Sequence, residues 1–275
     1  MQERGELAIS SFARGQFLVA MVLCAFFLVH VPASGQVQET QREVRVGVYQ
    51  NPPKILLDSN GQPSGILGDL IVEIANREGW TIRAVPCEWQ ACLNALQAGS
   101  IDLMPDLAYT PERAERFDMH TTPALLSWSQ IYKARRLPIN SIPDLAGHRI
   151  AVLQGSIQYD YLRQLLASFG VDVQWVPVQS LGAGFEAVAQ GRADVVAGNR
   201  FFGETQGPKY GVDPTPILFL PAQLFYAATK GRNGELLATI ERYLLQWQKA
   251  PDSPHSRALE RWLQLSARQR VPAYL

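Results

Sequence analysis

The sequence has little cysteine, little histidine and no excess charge of either sign. Three cysteines and four histidines among 275 residues are too few for a disulfide scaffold. His120, His148 and His255 are scattered, and none shares metal-ligand spacing with a cysteine or carboxylate pair, so neither a metal nor a cofactor is expected. Lys+Arg number 25 against 25 Asp+Glu, with no basic run, which argues against a nucleic-acid surface. There is no G-x-S-x-G and no phosphate loop, so enzymatic readings start thin. No apolar run reaches the roughly 20 residues that a membrane-spanning helix needs. What remains is an ordinary globular composition, 47% hydrophobic and 18% charged, which excludes disorder, collagen-like and coiled-coil architecture.

The longest apolar run, Phe17 to Val31, follows Arg4 and Arg14 and precedes Pro32-Ala33-Ser34-Gly35. That order of basic, apolar and small residues predicts a signal peptide over residues 1–35, cut after Ala33 or Gly35 or retained as an uncleaved anchor, and a periplasmic location. Cys24 follows Leu23, which does not suit lipidation. Removal of residues 1–35 takes away Arg4, Arg14, Glu3 and Glu6, leaving 23 charges of each sign. Two cysteines, Cys87 and Cys92, then remain. An oxidising compartment favours a disulfide between them, with free, partly buried thiols the alternative.

Beyond the signal, strand-like and helix-like patterns alternate, which predicts an α/β protein. The first cycle reads as a strand over 44–49, a helix over about 66–77 stopped by Gly79, a strand over 81–85, a helix carrying Trp89, Cys92, Leu93 and Leu96, and a strand over 101–104 ending at Pro105-Asp106. A second cycle follows the polar stretch 134–141: a strand over 149–153, a helix from Ser156 to Phe169, a strand over 171–176, a helix over 181–190 and a strand over 193–197. A strand over 223–228 and helices over about 234–250 and 253–265 close the chain. Two lobes are therefore expected, with chain crossings near 130–140 and 215–225 and a ligand cleft between them.

Six segments in fixed order carry a family resemblance: Arg45-Val46-Gly47-Val48 leading to Asn51-Pro52-Pro53, Asn60 to Ile66 with Asp69, Ala98 to Met104, Thr110 to Asp118, Asp144 to Val152, and Gln190 to Asp194. Over residues 43–265 the chain resembles the periplasmic solute-binding proteins of family 3. Val48 to Lys54 and Asp102 to Tyr109 look like the extracytoplasmic sensor domains that the family contributes to histidine kinases and diguanylate cyclases. The resemblance implies a type II periplasmic binding fold with a two-strand hinge: a first lobe over 43–132, a second over 133–220, a return to the first over 221–266, and a tail over 267–275. It implies a monomer that closes on a small polar, carboxylate-bearing ligand, amino-acid-like or an organic acid. The closed form would be presented to a transporter permease or to a membrane-bound sensor kinase or cyclase.

The resemblance also suggests the site. Arg113, in Thr110-Pro111-Glu112-Arg113, matches the arginine that grips the ligand carboxylate, for which a planar fork of donors is suited. Ser156, Ile157 and Gln158 open a helix whose N-terminus favours an anion, although Ser156 equally suits a cap. Asn199 stands where amino-acid binders present an aspartate to the α-ammonium, which makes an α-amino acid doubtful unless Asp106 supplies the charge. Asn51 replaces an aromatic residue, and Trp89 reads either as core or as a ring packed over the ligand. Asp69 reads as structural. An alternative is a dehydratase-like enzyme on the same fold with Asp106 as acid or base.

Overall fold

The computed structural model describes residues 41–267. The chain opens with β1 (Glu43–Val48), the short pair β2 (Leu56–Leu57) and β3 (Pro63–Ser64), α1 (Ile66–Glu78), β4 (Thr81–Pro86), α2 (Trp89–Ala98), β5 (Met104–Ala108), α3 (Pro111–Arg116) and β6 (Phe117–Met119). It crosses on β7 (Leu125–Ala134) to β8 (Arg149–Leu153), α4 (Ile157–Ser168), β9 (Gln174–Val178), α5 (Leu181–Ala189), β10 (Val195–Asn199) and α6 (Arg200–Tyr210). It returns on β11 (Val212–Thr229) and ends in α7 (Gly234–Trp247) and α8 (Pro254–Ala267).

Each lobe is built from the same unit of strand, helix and parallel strand. In the first, β1 pairs in parallel with β4, and Val46 bridges to Leu103. In the second, β8 lies in parallel between β9 and β10. One ion pair recurs in both. Arg45 at the start of β1 grips Asp102 through Nε (2.9 Å) and Nη2 (2.7 Å), and Arg149 at the start of β8 grips Asp194 in the same way (3.2 and 2.7 Å). Each arginine's backbone N–H also donates to that carboxylate at 2.8 Å. Gly99-x-x-Asp102 and Gly191-x-x-Asp194 thus mark the same corner twice, a helix stop whose aspartate pins the lobe's first strand.

The crossing strands β7 and β11 pair antiparallel with each other and join the lobes in the sheet order β5-β11-β7-β10-β8-β9. Their pairing is interrupted between Pro214 and Leu218 and between Phe219 and Ala222. Prolines 214, 216 and 221 cannot donate to the ladder there, which leaves the hinge strands less tightly joined.

Apolar spacing explains the helices. Ile66, Leu67, Leu70, Ile71 and Ile74 bury one face of α1 against the first sheet, and Gly79, at φ 69°, ends it in the left-handed conformation that glycine adopts freely. Asp69 accepts Trp262 Nε1 at 2.8 Å and Arg261 at 3.2 Å, tying α1 to α8, which agrees with a structural role.

Several boundaries differ from the sequence reading. The strand expected over 101–104 is β5, Met104–Ala108, and that expected over 171–176 is β9, Gln174–Val178. The strand read over 223–228 is the end of the 18-residue β11, and α6 was not anticipated. The signal-peptide assignment at 1–35 and most of the tail lie outside the described residues. Among the described residues no helix is long and apolar enough to cross a membrane, and no cluster of metal-ligating side chains occurs.

Candidate functional site

The site begins at an irregularity in β5. Leu107 pairs with Phe225 and Met104 with Ala227, so Pro105 and Asp106 together oppose Tyr226 in a bulge. Asp106 takes φ 67°, a left-handed conformation that aspartate tolerates better than most side chains. Bulges re-aim side chains, and here the carboxylate is buried among donors. Its Oδ1 accepts Lys54 Nζ at 2.6 Å, and its Oδ2 accepts Asn51 Nδ2 at 2.7 Å and the Tyr49 hydroxyl. Burial draws the Lys54 ammonium below its ordinary pKa, against the pull of Asp106. Burial, followed by the Asp106 charge, drives the Tyr49 phenol well up.

This network crosses between lobes. Asn51 Oδ1 accepts Asn199 Nδ2 at 3.0 Å, while Asn199 Oδ1 accepts the Phe202 N–H at 3.0 Å and caps α6. Asn199 therefore serves as cap and as interlobe contact.

Arg113 occupies the next part of the wall. Thr110 caps α3 by accepting the Arg113 backbone N–H, and Pro111 suits the first turn. Arg113 is only 9% exposed. Nη1 donates to Ala108 O at 3.0 Å and Nη2 to Gly155 O in the other lobe at 3.5 Å, while the Trp89 ring lies 5.4 Å from its carbon. Asp160 attracts it from the cleft mouth, but among the described residues no carboxylate lies within ion-pairing distance. Burial lowers its pKa to about 10, so it stays charged at neutral pH.

From the second lobe, Ser156 caps α4 by accepting the Tyr159 N–H at 3.2 Å, and it lines the cavity together with Ile157 and Gln158. Trp89 Nε1 donates to Gly155 O at 3.1 Å, so the ring is both buried and part of the cavity wall. The structure thus brings Asn51, Trp89, Asp106, Arg113, Ser156, Ile157, Gln158 and Asn199 around a single cavity between the lobes. It has about 40 Å³ of solvent-accessible space, enough for roughly three waters.

Asp106 does not stand free as a partner for a ligand ammonium, because Lys54 already neutralises it. Lys54 and Tyr49 were missed as site residues, as were Ser127, Trp128 and Ser129, which reach the cavity from β7. Arg200 stacks on Trp128 at 3.8 Å. The Cys87 and Cys92 sulfurs lie 1.98 Å apart with Cα atoms at 5.3 Å, the geometry of a bridge, and they bracket the start of the helix that carries Trp89.

Residues 44–136 match the family model of bacterial extracellular solute-binding proteins, family 3, and residues 126–220 match the NMT1/THI5 like model. The chain resembles the family 3 solute-binding proteins. The amino-acid-binding protein AabA of Dichelobacter nodosus is 28% identical over 158 residues, which cover 55% of this chain and 61% of AabA. The sensor protein EvgS of Escherichia coli O157:H7 is 22% identical over 221 residues, 78% of this chain and 18% of EvgS. The chain therefore spans less than two thirds of AabA and less than a fifth of EvgS. Among solved structures, an ancestral arginine-binding protein bound to glutamine matches with TM-score 0.70 and 27% identity, over 81% of this chain and 98% of that one. The fold is that of the type II periplasmic binding proteins.

Proposed function

We propose that this protein is an extracytoplasmic solute-binding or sensor protein of the periplasm. It closes two lobes on a small polar, carboxylate-bearing ligand and offers the closed form to a membrane transporter or a signalling partner. The observation that carries this reading is Arg113: a charged fork, nine-tenths buried, with no carboxylate paired to it among the described residues, facing a cavity walled by both lobes. A buried unpaired charge is costly. A ligand carboxylate accepting its free N–H groups removes that cost only when the lobes are together, which gives the ligand its preference for the closed state.

The resemblance to AabA and EvgS supports binding rather than catalysis. So does Asp106, whose two oxygens are already engaged by three donors of the protein itself. The test is a thermal-shift screen of amino acids and organic acids on purified protein, with the ligand recovered and analysed. The melting temperature should rise saturably, with the ligand unchanged, by an amount equivalent to about 2.7 kcal/mol at a hundredfold excess over Kd. Arg113→Ala should abolish the shift while keeping the unliganded melting temperature close to that of the parent. Equal shifts in both proteins, or conversion of the ligand to product, would overturn the reading.

A further inference from the structure

The charges of the cavity identify the class of acid it takes. Its titratable lining groups are Tyr49, Lys54, Asp106 and Arg113. Tyr49 is held neutral, Lys54 and Asp106 cancel at 2.6 Å, and Arg113 is left as one positive charge with no carboxylate paired to it among the described residues. The remaining polar lining, Asn51, Ser127, Ser129, Ser156, Gln158 and Asn199, is uncharged. An α-amino acid brings a carboxylate that Arg113 can satisfy and an ammonium that nothing here can. Among the described residues the one carboxylate in the lining is already sealed by Lys54, Asn51 and Tyr49, and an incoming ammonium would meet Lys54 as a like charge.

Lys54 has more to offer than charge neutralisation. An ammonium carries three N–H donors. One goes to Asp106, and among the described residues no other acceptor is within hydrogen-bond distance of Nζ, although the side chain is buried and lines the cavity. A ligand oxygen can take these donors where a ligand ammonium cannot.

On the reading of Arg113 given above, we infer that the cavity selects short carboxylic acids whose second polar group is an oxygen, a hydroxyl or a carbonyl, and rejects the corresponding α-amino acids, with Lys54 as the specificity-determining residue. The carboxylate pairs with Arg113 and the second oxygen accepts from Lys54.

Matched pairs differing only in hydroxyl against ammonium test this directly: glycolate and glycine, lactate and alanine, malate and aspartate, titrated calorimetrically into the wild-type protein. The hydroxy acid should bind at least tenfold tighter in every pair that binds. Lys54→Ala should reverse the order, because Asp106 then lacks its counter-ion and becomes a seat for the ligand ammonium. An amino acid that binds as tightly as its hydroxy partner, or no binding by any pair member, overturns the inference, and so does a folded Lys54→Ala protein that keeps the hydroxy-acid preference. If Lys54→Ala does not fold, the wild-type pairs still decide. An amino acid that wins in a manner dependent on Arg113 refutes this selectivity alone, whereas failure of every carboxylate in the wide screen refutes the solute-binding reading itself.

Discussion

Acidification should weaken this fold through His120. The bulge that re-aims Asp106 also leaves the Tyr226 N–H without a strand partner, and His120 Nε2 accepts it at 2.9 Å. An acceptor carries no proton, so Nδ1 must hold the hydrogen, which it gives to Thr122 O at 2.9 Å. The ring is fully buried, and burial lowers its pKa from 6.5 to about 4, although Glu241 lies 3.7 Å away. The unfolded chain therefore binds the proton first. The contribution is complete above pH 6.5 and is lost as pH falls toward 4, amounting to about 2 kcal/mol at pH 5 and about 3 kcal/mol at pH 4 by linkage. Glu241, held below its ordinary value by Thr121 and Thr122 donors that outweigh its burial, adds a loss of the same sign at lower pH. Urea denaturation at pH 7.5, 6, 5 and 4 on wild type and His120→Asn measures it. The variant should be less stable at pH 7.5, and its disadvantage should shrink by about 2 kcal/mol at pH 5. Parallel curves for the two proteins would refute the assignment.

Two further outcomes rest on single contacts. Alkylation and mass spectrometry should find Cys87 and Cys92 unlabelled without reductant and both labelled with it; two labels without reductant would exclude the bridge. A β-carbon on Gly203, inside α6, would lie 1.9 Å from the Tyr132 ring, so Gly203→Ala should cost about 1–3 kcal/mol by overpacking, read as a lowered urea midpoint.

How far the sequence reached depended on whether function and local propensity agreed. The helices α1, α2, α4, α5 and α7 were legible because their apolar stripes face the core and glycine or polar residues end them, and α8 was legible from its apolar stripe. The helix α6 was hidden by Gly203, Gly207 and Pro208, all poor helix formers, leaving Asn199 as its one conventional signal. The first half of β11 was hidden by its prolines. Most of the site could be proposed from the resemblance, but Lys54 could not be assigned: a lysine is ordinarily solvated, and its partner stands 52 positions away in a bulge that no periodicity announces.

The contacts between lobes suggest how little the ligand must supply. Asn199 to Asn51, Trp89 to Gly155 O and Arg113 to Gly155 O already join the lobes. Thr205 Oγ1 reaches Pro52 O at 3.4 Å. Each such hydrogen bond contributes on the order of 0.5–1.5 kcal/mol net. Against them stands the burial of Arg113, which Trp89 and the more distant Asp160 and Asp106 offset only in part, since among the described residues no carboxylate pairs with it. A ligand can shift the balance between open and closed forms only by its differential affinity for the two. A carboxylate that binds Arg113 equally well in the open cleft would change nothing. On the function proposed above, an anion would act because closure strips water from the guanidinium and leaves the ligand as its counter-ion, so the cost that opposes the closed form would become the term that selects for an occupied one.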